Sequence, residues 1–171
     1  MKSEHQNSDS KMRKMDAMSP LPVQVNDTTL NSLLGYHLKR AFNIVQSDLT
    51  KTLKPFELRM LTFTALILIV DNPGLSQSQL ADAMDIERPN LVVIIDELEQ
   101  RRLIIRDRVR TDRRIWALKP TPSGVSLSKK ALAATRAHEA KLLAGLDAKI
   151  TSELMSTATA LHHHLNTKTR G

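Results

Sequence analysis

The sequence predicts a mainly α-helical fold with a small β component, and three features of its 171 residues support this. Apolar residues recur at helical spacing through most of residues 28–167. Two short helical segments follow each other closely in residues 76–101, joined by a turn at Asp85-Ile86-Glu87. Two β-type runs, Leu103–Arg106 and Ile115–Leu118, flank a polar, arginine-rich stretch, which is the pattern of a hairpin with a long tip.

The N-terminal part of the chain predicts a tail followed by two helices. The first 27 residues are polar and aperiodic, which is typical of a mobile segment. Helical periodicity then begins, with Thr28 or Asp27 placed to cap a first helix that extends to Leu53. Pro55 suits the first turn of a second helix, and Asn72-Pro73-Gly74 ends it. That second helix is apolar on nearly all sides, which predicts burial by several neighbours.

The middle of the chain predicts a pair of short helices followed by a hairpin. Ser76 and Gln79 form a capping box at the start of the third helix. Pro89 fits the first turn of the fourth helix, whose core-facing positions are Leu91, Ile95 and Leu98. Helix pair and hairpin together have the layout of a winged helix-turn-helix, in which one helix enters a DNA groove and the other braces it.

The C-terminal part predicts two long helices. Thr121 caps the fifth helix, with Pro122 at its first position, and this helix ends near Gly145. Thr151 is expected to cap the last helix. The apolar seam of that helix comprises Ile150, Leu154, Ala158, Leu161 and Leu165. A continuous seam of this kind predicts packing against another helix.

The charge of the chain favours a polyanionic partner. The formal net charge is +7, and residues 101–114 alone contain seven arginines, at 101, 102, 106, 108, 110, 113 and 114. Each phosphate that such a cluster neutralises releases counterions, which gives salt-dependent affinity for double-stranded DNA. Only 3% of the residues are aromatic, which disfavours single-stranded nucleic acid, where bases stack on aromatic rings. The alternative is a solvated basic hairpin that binds nothing.

Several function classes lack the residues they need. The chain has no cysteine, which excludes disulfides, thiolate zinc sites and cysteine nucleophiles. It has no phosphate loop, dinucleotide-binding turn or nucleophile elbow, so we expect no enzyme activity and no cofactor. His162-His163-His164 are consecutive, and consecutive helical residues diverge by about 100°, so no metal site is expected. A helical protein that processes a ligand remains an alternative.

The expected location is the bacterial cytoplasm, in association with the nucleoid. The N-terminus has no apolar signal-peptide core. The most apolar run, Met60–Val70, is shorter than the roughly 20 residues that a bilayer requires. We therefore expect no membrane partner.

Two stretches of the chain resemble the MarR family of multiple-antibiotic-resistance-type repressors. They read LSQSQLADAMDIERPNLVVIIDELEQRRLI and RTDRRIWALKPT, and they include the wing signature Asp112-Arg113-Arg114 and the helix start Thr121-Pro122-Ser123-Gly124. The resemblance implies a homodimer with interlocked terminal helices that reads a pseudo-palindromic operator. The regions it implies are a tail (residues 1–27), a dimerisation region (28–54 and 121–171) and a DNA-binding region (55–120).

The resemblance also implies roles for the wing and the bracing helix. Asp112 would orient Arg114, or Arg113, toward the minor groove through a charge-assisted hydrogen bond. Gln77 and Ser78 would bind phosphates from the start of the bracing helix.

On the reading helix, Arg88, Pro89, Asn90 and Val93 would lie at the major groove. Relatives often carry Thr and Arg where this chain has Val92 and Val93. Valine cannot donate a hydrogen bond to guanine, but it can pack on a thymine methyl group. We therefore expect direct readout by Arg88 and Asn90 with apolar thymine contacts, and a larger share of shape readout by the wing.

A narrower resemblance concerns the effector. The run LRMLTFTALILIVDNPGLSQSQLADAMDIERPNLVVIIDELE is similar to repressors of hydroxycinnamate catabolism, which respond to thioesters such as p-coumaroyl-CoA. It implies release from DNA by a small aromatic effector, and CoA phosphates would compete with DNA for the arginines. The candidate ligand residues are His37, Arg40, Arg59, Met60 and Trp116. For each, a structural role is the alternative: a half-buried histidine, a surface or dimer ion pair, a core tryptophan. There are two alternatives for function. The effector could be a free aromatic carboxylate, or the chain could be a protein-binding adaptor without DNA specificity.

Overall fold

The structure is a computed structural model, and it describes residues 25–108 and 116–169. The chain divides into two compact units, residues 1–41 and 42–171, and helix α1 (Leu34–Leu53) crosses their boundary. The other elements are α2 (Met60–Asp71), β1 (Leu75–Ser76), α3 (Gln77–Met84), α4 (Arg88–Gln100), β2 (Ile104–Arg108), β3 (Trp116–Pro120), α5 (Pro122–Leu142) and α6 (Ala148–Thr169). The predicted mainly α-helical fold with a small β component is confirmed.

The first helix begins later than the sequence predicts. A 3-10 turn at Leu30–Ser32 precedes α1, and Leu33 between them is extended. Neither predicted cap is used, because both side chains have other partners. The Thr28 hydroxyl donates to Asn26 at 2.6 Å, and the Asp27 carboxylate accepts from the Tyr36 hydroxyl at 2.9 Å. The prediction that Thr28 or Asp27 caps the helix is therefore wrong.

The second helix also starts later than predicted. Pro55 lies in a separate 3-10 turn, Lys54–Phe56, which ends where Glu57 adopts a left-handed conformation with φ 54°. Helix α2 then begins at Met60, with the buried Thr62 hydroxyl accepting the Arg59 N–H at 2.9 Å. A left-handed residue interrupts helical hydrogen bonding, so the turn and α2 cannot be one helix.

A short third strand was not predicted. Strand β1 pairs with β3, and β3 pairs with β2, so the sheet order is β1-β3-β2 and both pairings are antiparallel. Gly74, at φ +105°, donates its N–H to the Leu118 carbonyl at 2.8 Å and extends this pairing. Two residues are too few for a period-two pattern to be recognisable in the sequence.

The core of the second unit lies between α2, the α3–α4 pair, the sheet and the first half of α5. Its fully buried side chains include Leu66, Ile69, Leu80, Leu91, Ile95, Leu98, Ile104 and Leu118. The predicted core positions of α4 are therefore confirmed. The second helix is buried on several sides as predicted, with Leu61 the main exception at 48% exposed.

Helix α5 is fixed to the end of α4 at one close contact. The Thr121 hydroxyl accepts the Gly124 N–H at 3.0 Å, which confirms the predicted cap, and it also donates to the Arg102 carbonyl at 2.7 Å. Gly124 lies against the backbone of Leu103, where an added Cβ would stand 2.0 Å from the carbonyl oxygen. Only glycine fits at this contact.

The last helix begins at Ala148, three residues before the predicted cap. Asp147 Oδ1 accepts the Lys149 N–H at 2.7 Å, whereas the Thr151 hydroxyl donates to the Asp147 carbonyl at 3.2 Å. Asp147 therefore caps α6, and the prediction for Thr151 is wrong. Large apolar side chains on α6 are exposed, namely Ile150, Leu154, Met155 and Leu165. None of the helices in the described part of the chain is both long enough and apolar enough to cross a membrane.

Candidate nucleic-acid interface

The helix pair α3–α4 has the geometry that the sequence predicts. At the start of α3, Ser76 Oγ accepts the Gln79 N–H at 3.2 Å, and Gln79 Oε1 accepts the Ser76 N–H at 2.9 Å. Asp85 ends α3 in a left-handed conformation with φ 53°, which allows the sharp turn into α4. Helix α4 buries one face against the core and leaves the other to solvent.

The outward face of α4 carries most of the predicted groove residues. Arg88, Pro89 and Asn90 form its exposed first turn. Val93 follows one turn later and is 62% exposed, and Val92 beside it is 41% exposed. Apolar side chains left in solvent on an otherwise amphipathic helix are unfavourable, unless a partner covers them. Arg88, Asn90 and Val93 are therefore all exposed on the part of α4 that the core does not cover.

Gln77 and Ser78 occupy the first two positions of α3 and are half-buried. Backbone N–H groups at a helix N-terminus have no acceptor within the helix, and the helix dipole is positive there. This is the arrangement that binds a phosphate from a bracing helix.

Among the arginines at residues 101–108, which the structure describes, Arg101 and Arg106 are structural. Arg101 donates to the backbone carbonyls of Glu57 at 2.6 Å and Phe56 at 3.0 Å. Arg106, 22% exposed at its side chain, forms ion pairs with Asp96 and Glu99 of α4. The cluster available to a polyanion is therefore smaller than the sequence indicates.

The spacing of Asp96 and Glu99 could have revealed the Arg106 contact. Acids three residues apart share a helix face, and β2 follows α4 after a tight turn, so an arginine on the strand can reach both. Arg102, by contrast, is exposed and adopts φ 56°. The remaining wing residues of the prediction, Asp112, Arg113 and Arg114, lie outside the described residues.

Two of the predicted ligand residues lie in the first unit, in a polar cluster around Tyr36. Arg40 contacts Asp27 at 3.1 Å, and its guanidinium carbon lies 5.2 Å from the Tyr36 ring centroid. His37 Nε2 lies 2.8 Å from the Asn31 carbonyl oxygen. The Tyr36 hydroxyl, with smaller contributions from Asn31 and Arg40, lowers the pKa of Asp27. Each predicted ligand residue here therefore has a partner within its own unit.

The other three candidate ligand-binding residues lie in the second unit, and their contacts there are with different groups. Arg59 pairs with Glu97 of α4, and Met60 is the half-buried first residue of α2. Trp116 is 39% exposed, so it is not a core residue. Its ring lies beneath Arg108, whose guanidinium carbon is 4.8 Å from the ring centroid. Among the described residues, no group of three or more histidines or acids is placed to hold a metal ion.

Comparisons with known proteins agree with this geometry. Residues 58–115 match the model of the MarR family. A putative transcriptional regulatory protein for the hcr operon of Thauera aromatica is 41% identical over 93 residues, which are 54% of this chain and 56% of that protein. The chain thus spans little more than half the length of this curated relative.

Solved structures extend the similarity to most of the chain. A transcriptional repressor, CouR, bound to a 23-mer DNA duplex is similar with a TM-score of 0.78 and 33% identity, over 81% of this chain and 99% of that one. CouR bound to p-coumaroyl-CoA is similar with a TM-score of 0.74 and 31% identity, over 81% and 98% of the two chains. A relative that is 33% identical over 99% of its own length, together with the match to the family model, shows that the protein belongs to the MarR family.

Proposed function

We propose that the chain is a ligand-responsive transcriptional repressor that binds a pseudo-palindromic operator as a homodimer. The observation that carries this proposal is the solvent-exposed outer face of α4, braced by α3, in a chain that resembles a DNA-bound repressor over 81% of its length. A helix pair of this kind can place one helix in the major groove while the other contacts the backbone.

In the proposed complex, Arg88 and Asn90 read base edges and Val93 packs on a thymine methyl group. Arg88 and Asn90 stand at the exposed first turn of α4, where recognition helices meet the bases. Gln77 and Ser78 bind phosphate at the start of α3, and Asp112 orients Arg113 or Arg114 into the minor groove. A bidentate base contact contributes about 1–3 kcal/mol, whereas a valine can make only an apolar contact with a thymine methyl group, so groove shape carries much of the specificity.

Exposed apolar surface on both terminal helices supports the homodimer. Leu34 and Leu38 in the first half of α1 are 62% and 47% exposed, and Leu154 and Leu165 on α6 are 55% and 53% exposed. Soluble proteins rarely leave such rows of large apolar side chains in water. We assign residues 28–54 and 121–171 to dimerisation and residues 55–120 to DNA binding.

The dimer is tested by placing a charge on α6. Leu154→Asp should convert the protein to a monomer and reduce operator affinity, measured by sedimentation and gel shift. Ser152→Asp is the matched control, because it adds the same charge to an exposed site about 200° around the same helix. A monomeric Leu154→Asp variant with full operator affinity would contradict the dimer.

We further propose that the effector is a hydroxycinnamoyl-CoA thioester. Support comes from the similarity to CouR bound to p-coumaroyl-CoA and from the net charge of +7, which attracts the CoA phosphates. His37, Arg40, Arg59, Met60 and Trp116 remain the candidate contact residues. Binding and DNA release are linked, so operator DNA must weaken effector binding by the same factor.

The function is tested by selecting bound duplexes from a random library and titrating the complex with effectors. The proposal expects steep salt dependence and release by p-coumaroyl-CoA at concentrations where free CoA and free p-coumarate have little effect. Release by free p-coumarate alone would instead support the aromatic carboxylate alternative. Binding that is insensitive to salt would support the protein-binding adaptor, because phosphate contacts always depend on salt.

A further inference from the structure

Arg108 and Trp116 form the last cross-strand pair of the hairpin before the wing. Arg108 ends β2, Trp116 begins β3, and the two residues are directly opposite each other in the antiparallel register. Trp116 is the only tryptophan of the chain, and it is 39% exposed at this position. Core packing alone does not account for an aromatic residue that stays 39% exposed at the root of a basic hairpin.

The face of the hairpin that carries this pair is the face turned toward the reading helix. Side chains two residues apart on a strand share a face, so Arg108 lies on the same side of the sheet as Arg106. Arg106 reaches α4 and pairs there with Asp96 and Glu99. Arg108 therefore lies on the sheet face that contacts α4, the proposed reading helix, and Lys119 and Asp107 pair with each other on the opposite face.

The described arginines of the hairpin differ in how their charge is compensated. Arg106 is compensated by two carboxylates, and Arg101, before the hairpin, donates to two carbonyls. In the part of the chain that the structure describes, Arg108 forms no ion pair, and its contact is the Trp116 ring at 4.8 Å. A cation–π contact restrains the guanidinium but uses the face of the ring and none of the five N–H donors.

From these contacts we propose that Arg108 is a DNA phosphate-binding residue, and that Trp116 is the positioning residue that holds it at the root of the wing. The inference rests on the proposed DNA-binding function. A restrained guanidinium loses less side-chain freedom on binding than a free one and offers paired donors that match the geometry of a phosphate. Its contact is with the backbone, so it adds affinity without sequence preference.

The test measures duplex binding by the full-length protein across a range of salt concentrations, with a duplex selected from a random library and a second duplex of unrelated sequence. Arg108→Ala should weaken binding to both duplexes and reduce the slope of log affinity against log salt by about one. Trp116→Leu, which keeps an apolar side chain but removes the ring, should weaken binding by about two- to fivefold, as expected for the loss of an exposed cation–π contact.

The double variant separates positioning from a direct contact by Trp116. Trp116→Leu with Arg108→Ala should bind no more weakly than Arg108→Ala alone, because the ring acts only through the arginine. Lys119→Met is the matched control, since it removes a cation from the opposite face of the same hairpin and should have a smaller effect on the salt slope. Trp116 fluorescence should change when wild-type protein binds either duplex.

The outcomes distinguish this inference from the proposed function. If wild-type protein binds neither duplex, the proposed function fails and this inference fails with it. If wild-type protein binds and Arg108→Ala has unchanged affinity and salt slope, only the role of Arg108 is refuted. If the double variant binds DNA more weakly than Arg108→Ala alone, the positioning role of Trp116 is refuted.

Discussion

Replacing Gly124 with alanine gives a sharp test of how α5 is joined to the rest of the second unit. An added Cβ would stand 2.0 Å from the Leu103 carbonyl oxygen and 2.9 Å from its carbon, and both atoms are backbone. A rotamer change cannot relieve this clash, so either the start of α5 or the turn after α4 must move. The same carbonyl accepts hydrogen bonds from Thr121 N at 3.0 Å and Thr121 Oγ1 at 3.1 Å, so movement also weakens the cap of α5.

The expected change in the free energy of unfolding has three contributions. Overpacking of this kind costs about 1–3 kcal/mol, and each weakened hydrogen bond costs about 1 kcal/mol. The better helix propensity of alanine offsets about 1 kcal/mol. We therefore expect the free energy of unfolding to fall by about 2–4 kcal/mol, and Tm to fall by about 4–16 °C for a chain of this size.

The assay is thermal and urea unfolding followed by circular dichroism at one fixed protein concentration, because subunit association would shift Tm. Gly35→Ala is the control: this glycine lies in α1, and an added Cβ there meets nothing within 4 Å. The control should be unchanged or stabilised by up to about 1 kcal/mol. A Gly124→Ala variant within about 0.5 kcal/mol of wild type would refute the close-contact reasoning.

Three further changes test other parts of the structure. Ser76→Ala removes the cap of α3 and should lower the free energy of unfolding by about 1 kcal/mol in urea titrations; no change would mean the capping box contributes nothing. Arg106→Met leaves two α4 carboxylates without their shared cation and should cost about 1 kcal/mol, given their partial exposure, and the loss should shrink in high salt. Because the pKa of Asp27 is lowered in the folded protein, its carboxylate contributes to folding stability at pH values above its ordinary pKa of 3.8. This contribution is lost as the pH falls through the lower pKa of the folded state. Near-ultraviolet circular dichroism of Tyr36, the only tyrosine, should follow that acid transition, and Asp27→Asn should abolish it.

The parts of the fold predicted correctly are those with a strong local signal. Side-chain hydrogen bonds mark the capping box at Ser76 and the cap at Thr121, a proline with its restricted backbone marks the start of α4, and all three predictions are confirmed. The positions of Leu91, Ile95 and Leu98 repeat with helical spacing, and the core buries all three. Local chemistry and packing agree at these residues.

The incorrect predictions arise where a polar side chain has several possible partners. Thr28, Asp27 and Thr151 are all acceptable caps by residue type, but each forms its hydrogen bonds elsewhere. For Asp27 the choice of partner depends on Tyr36, nine positions away in the sequence. Propensity alone contains no information about that choice.

In the candidate site, residue type alone likewise does not predict which charged side chains are available to DNA. Counting arginines in residues 101–114 overestimates the cations available to DNA, because Arg101 and Arg106 are held by groups of the protein itself. The exposed groove positions Arg88, Asn90 and Val93 were predictable, since the opposite helix face is marked by its leucines and isoleucines. The contact between Arg108 and Trp116 depends on hairpin register, which the sequence left open over several residues.

The two-residue strand β1 has a mechanical consequence for the proposed complex. Ser76 pairs with Ala117, so Gln77 at the start of α3 and Trp116 at the root of the wing each lie one residue from the same paired position. Paired backbones stand only about 4.5–5.5 Å apart, and the pairing resists stretching. The proposed phosphate contacts, at Gln77 and at Arg108 opposite Trp116, are therefore held at a fixed spacing. A duplex whose backbone spacing does not match must deform to fit them, so flexible sequences would bind more tightly than stiff ones even where no side chain contacts a base.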